Sequence, residues 1–201
     1  MKARFNSLIE RLFAETVEGR EALEAQIWRE FGVERAVMAL DMSHFSLTVR
    51  RSGILSYLGL IRRMQRFTKP LVERTGGIVV EFHADNLMAV FPDVAEAVEA
   101  AVQINHALRE DRDGDGVADI SVAIGIDYGR FLFVANEHCY GDTVNVAFKL
   151  GEDIARAHEI LLTEGARQRL GATFPYSLTS QPVTISGLEL STHAVQYEPA
   201  K

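Results

Sequence analysis

The sequence predicts an α+β sandwich in which helices lie on one face of a sheet. Three observations predict it. Apolar runs of strand length alternate with longer stripes at helical spacing, in the order strand, helix, hairpin, helix, strand. The 201 residues are 47% hydrophobic and 24% charged, enough to bury one ordinary core. No internal repeat or low-complexity segment interrupts the order.

Phe5, Leu8, Ile9, Leu12 and Phe13 recur at helical spacing, and Ala22, Leu23, Ala25, Ile27 and Trp28 predict a second helix reaching Phe31 and Gly32. Residues 1–33 therefore read as a helical extension that packs on the domain, pairs with its copy across a dimer or receives a regulatory signal, packing being the default for so short an apolar stripe, and residues 34–201 as that domain. Residues 34–42 read as a buried strand. Residues 54–74 read as a long helix with Leu58, Ile61, Met64, Phe67 and Leu71 on one face, kinked near Pro70. Gly76 and Gly77 turn the chain into a strand over 78–82, and Asp85-Asn86 reverses it into another over 87–91. Pro92-Asp93 opens a helix carrying Val94, Val98, Ala101, Val102, Ile104 and Leu108. A polar loop over 111–119 leads to a strand over 120–126, and a short hairpin runs to Tyr140. A helix comes after Gly141-Asp142. Residues 160–162 form another strand, Thr163 caps a short helix, and the tail after Phe174 alternates like edge strands.

Composition excludes several classes of function. A single cysteine, Cys139, rules out an internal disulfide framework and fits a reducing compartment. No apolar run approaches a membrane span. Met1-Lys2-Ala3-Arg4 starts with positive charge, but Glu10, Arg11, Glu15 and Glu18 break up the next stretch, so a cytoplasmic location is expected. A net charge of −7, with no basic cluster beyond Arg50-Arg51 and Arg62-Arg63, argues against binding a nucleic-acid backbone.

Two aspartates carry the chemical signal. Asp41 ends the run Val37-Met38-Ala39-Leu40, and Asp85 sits between the strands of the first hairpin. Carboxylates at strand ends suit a hard cation that keeps waters and takes further ligands from phosphates, although either could simply terminate its strand. A second acidic pattern begins at Asp111. Asp111, Asp113, Asp115 and Asp119 stand at loop positions one, three, five and nine, with Gly116 at six and Val122 where a closing glutamate would stand. A Ca²⁺ site using these aspartates and the Val117 carbonyl, or a solvated acidic turn, both satisfy this spacing.

The segments Asp41-Met42-Ser43-His44-Phe45-Ser46, Thr75-Gly76-Gly77, Ala84 to Phe91 and Gly141-Asp142-Thr143-Val144-Asn145-Val146-Ala147 resemble, in order and spacing, the class III adenylate/guanylate cyclase catalytic domain. The resemblance covers roughly residues 35 to 170. It implies a ferredoxin-like βαββαβ core and a homodimer. It implies conversion of a nucleoside triphosphate to a 3′,5′-cyclic monophosphate and pyrophosphate at the subunit interface, a lyase reaction serving signal transduction.

By that resemblance Asp41, Asp85 and the Met42 carbonyl hold two Mg²⁺ or Mn²⁺ ions, and amides from Met42 through Ser43, His44, Phe45 and Ser46 cradle phosphate. Asn145 orients the ribose. The transition-state arginine of the family is here Lys149, a point charge without the planar fork, or an ordinary solvated lysine. The base-selecting positions are Glu81 and His138. A carboxylate accepts from guanine N1–H and N2–H₂ and an imidazole donates to O6, which favours GTP over ATP; a solvent-facing strand residue at either position is the plain alternative. The segment 129–141 is shorter than the family's hairpin arm, and the usual glycines are replaced by His44 and Ala84, whose side chains are expected to crowd the site. The competing expectation is a degenerate cyclase-like domain that binds nucleotide or Ca²⁺ as a regulatory dimerisation module.

Overall fold

The computed structural model describes residues 1–43, 53–111, 120–185 and 188–197. Helices α1 (Lys2–Ala14) and α2 (Val17–Phe31) precede β1 (Gly32–Met42); α3 (Ile54–Arg74) leads to the hairpin β2 (Ile78–His83) and β3 (Asn86–Phe91). α4 (Val94–Glu110), capped by the Asp93 side chain, leads to β4 (Val122–Val134) and β5 (His138–Tyr140). α5 (Asp142–Lys149) runs into a π-helical turn (Leu150–Ile154), and then come β6 (Ile160–Thr163), α6 (Glu164–Arg167), β7 (Ser177–Ile185) and β8 (Leu188–Gln196). The eight strands form one sheet in the order β2-β3-β1-β4-β6-β8-β7, with β5 paired to β4. Its first four strands, with α3 and α4 as crossovers, are a ferredoxin-like βαββαβ unit.

β1 shows why the fold needs two layers of helix. Residues 36 to 40 are all buried, so both faces of the strand need cover, as in strands that read as continuous apolar runs. Ala36, Met38, Leu40 and Met42 pack with α3 and α4. Val37 and Ala39 point the other way and pack with Val144 and Ala147 of α5, and with Met88, Val90, Phe131 and Phe133. The expected single helical face is thus corrected: α5 covers the opposite face. The tail also differs from expectation, because β8 lies inside the sheet between β6 and β7 and only β7 is an edge. β4 is one long strand that supplies half of the second hairpin, rather than ending at Ile126.

On α3 the buried stripe is Tyr57, Ile61, Met64, Thr68, Leu71 and Val72, whereas Leu58, expected inside, is 48% exposed. Pro70 lies inside this helix, which continues through it. The N-terminal pair docks on the second hairpin: Phe5, Leu8, Leu23, Ile27 and Phe31 bury against Val134. Phe5 stacks on Tyr140 with ring centroids 5.6 Å apart. Gly32 both caps α2 and opens β1, so no linker separates the helices from the sheet.

Candidate active site

Asp41 is the penultimate residue of β1 and pairs across the ladder with Asn86, the residue after Asp85. The two aspartates therefore meet at one end of the sheet. Strand alternation turns the half-buried Asp41 towards the α5 face, with Val37 and Ala39. Asp85 is the second residue of the two-residue turn Ala84-Asp85, and its Oδ2 accepts a hydrogen bond of 2.7 Å from the Tyr57 hydroxyl. Asn86 donates its amide to Glu152 of the π-helical turn. Burial pushes the Asp41 carboxyl up to about 7, and the charges of Asp85, Glu152 and Asp153 push in the same direction. Glu152 is raised for the same reasons, burial first, then Asp153 and Asp85, against an opposing pull from His83.

The acidic residues of the π-helical turn reach this point because the backbones approach unusually closely. A Cβ added at Gly125 of β4 would collide with the Ala147 carbonyl and the Gly151 amide, and one at Gly151 would lie 2.8 Å from the Ala39 carbonyl oxygen. These two glycines let α5 and the turn after it lie flat on β1 and β4. The turn closes through an Ala155 N–H to Leu150 carbonyl bond of 2.8 Å, the i→i+5 spacing of a π-bulge. Asn145 is exposed on α5, and Lys149, one turn later, shares its helix face.

Glu81 reaches the same sheet face by way of a β-bulge. The register of β2 against β3 shifts between Val79 and Glu81, so Glu81 pairs with Met88, which belongs to the α5 side. His83, paired with Asn86, comes next on that face and sets its Nδ1 4.0 Å from Glu81 Oε1. β5 approaches β2 with Cα atoms within 8 Å, bringing in His138, whose enclosed Nε2 has no hydrogen-bond partner among the described residues.

Two details depart from expectation. The Ser43 amide donates to the Ser121 carbonyl at 2.8 Å, so Ser43 can offer a phosphate its hydroxyl but not the expected N–H. Ala84 is exposed, and its cost is conformational, since its φ of 50° lies where glycine is favoured. His44, Phe45 and Ser46 lie outside the described residues, as do Asp113, Asp115, Val117 and Asp119. Asp111 is described, and its Oδ2 accepts from Nε and Nη2 of Arg63 at 3.1 and 2.7 Å.

Among the described residues, no group of three or more His, Cys, Asp and Glu side chains is arranged to hold a metal by itself. Two carboxylates completed by phosphate oxygens and water remain chemically suited to a hard divalent cation. The like charges that raise Asp41 are what such a cation would offset. Tyr57, Asn86, Glu152 and Asp153 are not singled out by the sequence. Tyr57 falls one residue outside the apolar stripe expected for its helix; that a buried phenol needs a hydrogen-bond partner is the available signal.

No protein-family profile matches the sequence, and no curated relative matches it. Solved structures do. The guanylate cyclase domain of RhGC from Catenaria anguillulae, in complex with GTP, superposes with a TM-score of 0.66 at 20% identity, covering 81% of this chain and 96% of that one. The guanylyl cyclase Cya2 gives 0.70 at 17% identity over 82% and 92%. An adenylate cyclase from Trypanosoma brucei in its monomeric state gives 0.70 at 15% over 81% and 87%. The chain has the class III cyclase catalytic-domain fold. Within that fold, the ends of β1 and of the β2–β3 hairpin carry Asp41 and Asp85, and α5 carries Asn145 and Lys149. Among the described residues no helix is long and apolar enough to cross a membrane.

Proposed function

We propose that this chain is a purine nucleotide cyclase that converts a nucleoside triphosphate, GTP in preference to ATP, to its 3′,5′-cyclic monophosphate and pyrophosphate. The observation that carries the reading is the convergence of Asp41 and Asp85 at one sheet end of a cyclase-type fold. Mg²⁺ or Mn²⁺, when bound, lowers the pKa of the ribose 3′-hydroxyl and neutralises phosphate charge. Asp41, Asp85 and the Met42 carbonyl are the groups that would hold it. The 3′-oxygen, losing its proton to solvent water, forms a bond to the α-phosphorus as the bond to pyrophosphate breaks. Asn145 orients the ribose for that in-line attack, and Lys149 supplies charge to the phosphate oxygens. The site takes these two groups from one protomer and the aspartates from the other, so it is complete only in a homodimer. Glu81, turned onto the site face by its bulge, accepts from the guanine edge, and His138 Nε2, which has no hydrogen-bond partner among the described residues, donates to O6.

Purified protein with Mn²⁺ and each of ATP, GTP, CTP and UTP, assayed by mass spectrometry, tests the reading. Cyclic GMP as the main product, lost in Asp41→Ala and Asp85→Ala, is expected; no cyclic product from any nucleotide refutes it. One observation favours a second reading, a cyclase-like regulatory module without turnover. The β4–β5 hairpin, shorter than the family's arm to a partner, packs Leu132, Val134 and Tyr140 against the N-terminal helices of its own chain. Nucleotide binding without product identifies that case.

A further inference from the structure

The π-turn carboxylates, the cleft beside Arg109 and Arg156, the His193–Glu164 pair and the α1–hairpin contact each offer a lead. The Tyr57 hydroxyl carries the argument furthest. Tyr57 is 2% exposed and occupies the first turn of α3, on the side that packs against the sheet. A phenol in that position must place its hydroxyl on a partner or lose the hydration of the group without return. Its partner is Asp85 Oδ2 at 2.7 Å, a charge-assisted hydrogen bond between residues 28 apart in sequence.

The location of that bond gives it consequence. Asp85 is the second residue of a two-residue turn whose first, Ala84, has a φ of 50°, so the hairpin alone holds the half-buried carboxylate on a strained tip. The other aspartate is fixed differently, within the β1 ladder between Asn86 and Ala123. Two carboxylates bind one cation well only if their separation is set before the cation arrives. The bond to Tyr57 occupies one lone pair of Oδ2, and among the described residues Oδ1 accepts no hydrogen bond, so the group is oriented without exhausting its capacity to ligate.

We propose that Tyr57 is a positioning residue that ties Asp85 to the core through α3 and holds its carboxylate at the spacing from Asp41 that a divalent cation requires. The proposal rests on the cyclase reading of the site and concerns this chain's own residues. Groups that orient a metal-ligating carboxylate typically cost about 10- to 100-fold in metal affinity when removed.

The test is a titration of Mn²⁺ alone into nucleotide-free protein, monitored by electron paramagnetic resonance, on wild type, Tyr57→Phe, Asp85→Asn, Asp41→Asn and the Tyr57→Phe/Asp85→Asn double variant. Phenylalanine keeps the ring that fills the core, and thermal melting by circular dichroism checks the fold. The expected result is that Tyr57→Phe weakens Mn²⁺ about tenfold or more. Within the Asp85→Asn background it should weaken it no further, because the phenol acts through Asp85. If Asp85→Asn weakens binding while Tyr57→Phe matches wild type, Tyr57 has no positioning role and the cyclase reading stands. If neither aspartate variant changes Mn²⁺ binding, the metal site itself is misplaced and the proposal falls with it. Incorporating 3-fluorotyrosine at position 57 retains ring and hydroxyl but strengthens the donor, and covers the case of a phenylalanine variant that does not fold. Unchanged affinity in the fluorinated protein likewise overturns the proposal.

Discussion

At the scale of single residues, Asp41 and Lys149 set the most direct tests. Asp41 carries its proton up to about pH 7 in the folded protein, whereas an ordinary aspartate loses it near 4. Between those values the folded state binds one more proton than the unfolded state, so this group lowers stability as pH rises and adds nothing further above about 7. Melting in the presence of a chelator should therefore show a decline from pH 4.5 to pH 7.5 that is shallower in Asp41→Asn. Identical slopes would mean that the carboxylate is already ionised at low pH. Lys149 bears on rate. If it stands where a forked, two-donor group is needed, Lys149→Arg should raise turnover about tenfold or more while leaving the melting temperature within a degree or two. An equal or lower rate would place Lys149 outside the reaction. Both positions are legible in the sequence as motif members. The raised Asp41 is not, because its burial, first, and then the charges of Asp85, Glu152 and Asp153 are set by how distant segments pack.

The elements show where that legibility ends. The helices over 54–74 and 94–110 and the first hairpin arise from apolar periodicity and turn residues, which are local properties. The π-helical turn, the bulge at Val79/Glu81 and the rotation of the α3 stripe from Leu58 to Tyr57 are set by what each element packs against. Gly125 illustrates the difference. In sequence it is one glycine in a strand; in the fold it is the point where α5 touches β4. Gly125→Ala should lower stability by about 2–4 kcal/mol in chemical denaturation, because the new methyl meets backbone that cannot rotate away. A loss under about 0.5 kcal/mol would show that α5 can lift off the sheet at little cost. Ala84→Gly should act oppositely. Removing the Cβ from a left-handed φ relieves about 1–2 kcal/mol, and the extra freedom of glycine in the unfolded chain returns about half of it. The net expectation is a slight gain in stability.

At the scale of the whole molecule, the question is whether the N-terminal helices are an appendage or part of one folding unit. From sequence, residues 1–33 separate naturally from 34–201, because nothing local shows what the short stripe of α1 and α2 will meet. The contacts tie them together. Ile27 and Leu23 are nearly inaccessible against Val134, Trp28 lies under Arg130 with the guanidinium 4.4 Å from its ring, and Arg4 pairs with Glu30 to join the two helices. Since Gly32 passes from helix cap to strand without an intervening residue, α2 cannot melt without freeing the start of β1, the strand at the centre of the ferredoxin-like unit. Such coupling predicts one cooperative transition. Ile27→Ala opens a cavity worth about 2–5 kcal/mol. That loss should move the entire calorimetric peak to lower temperature, with calorimetric and van't Hoff enthalpies staying equal. A new low-temperature transition, with the main peak unmoved, would instead show helices that dock and undock on a sheet stable without them. It would also uncover the β4–β5 hairpin for a second copy of the chain.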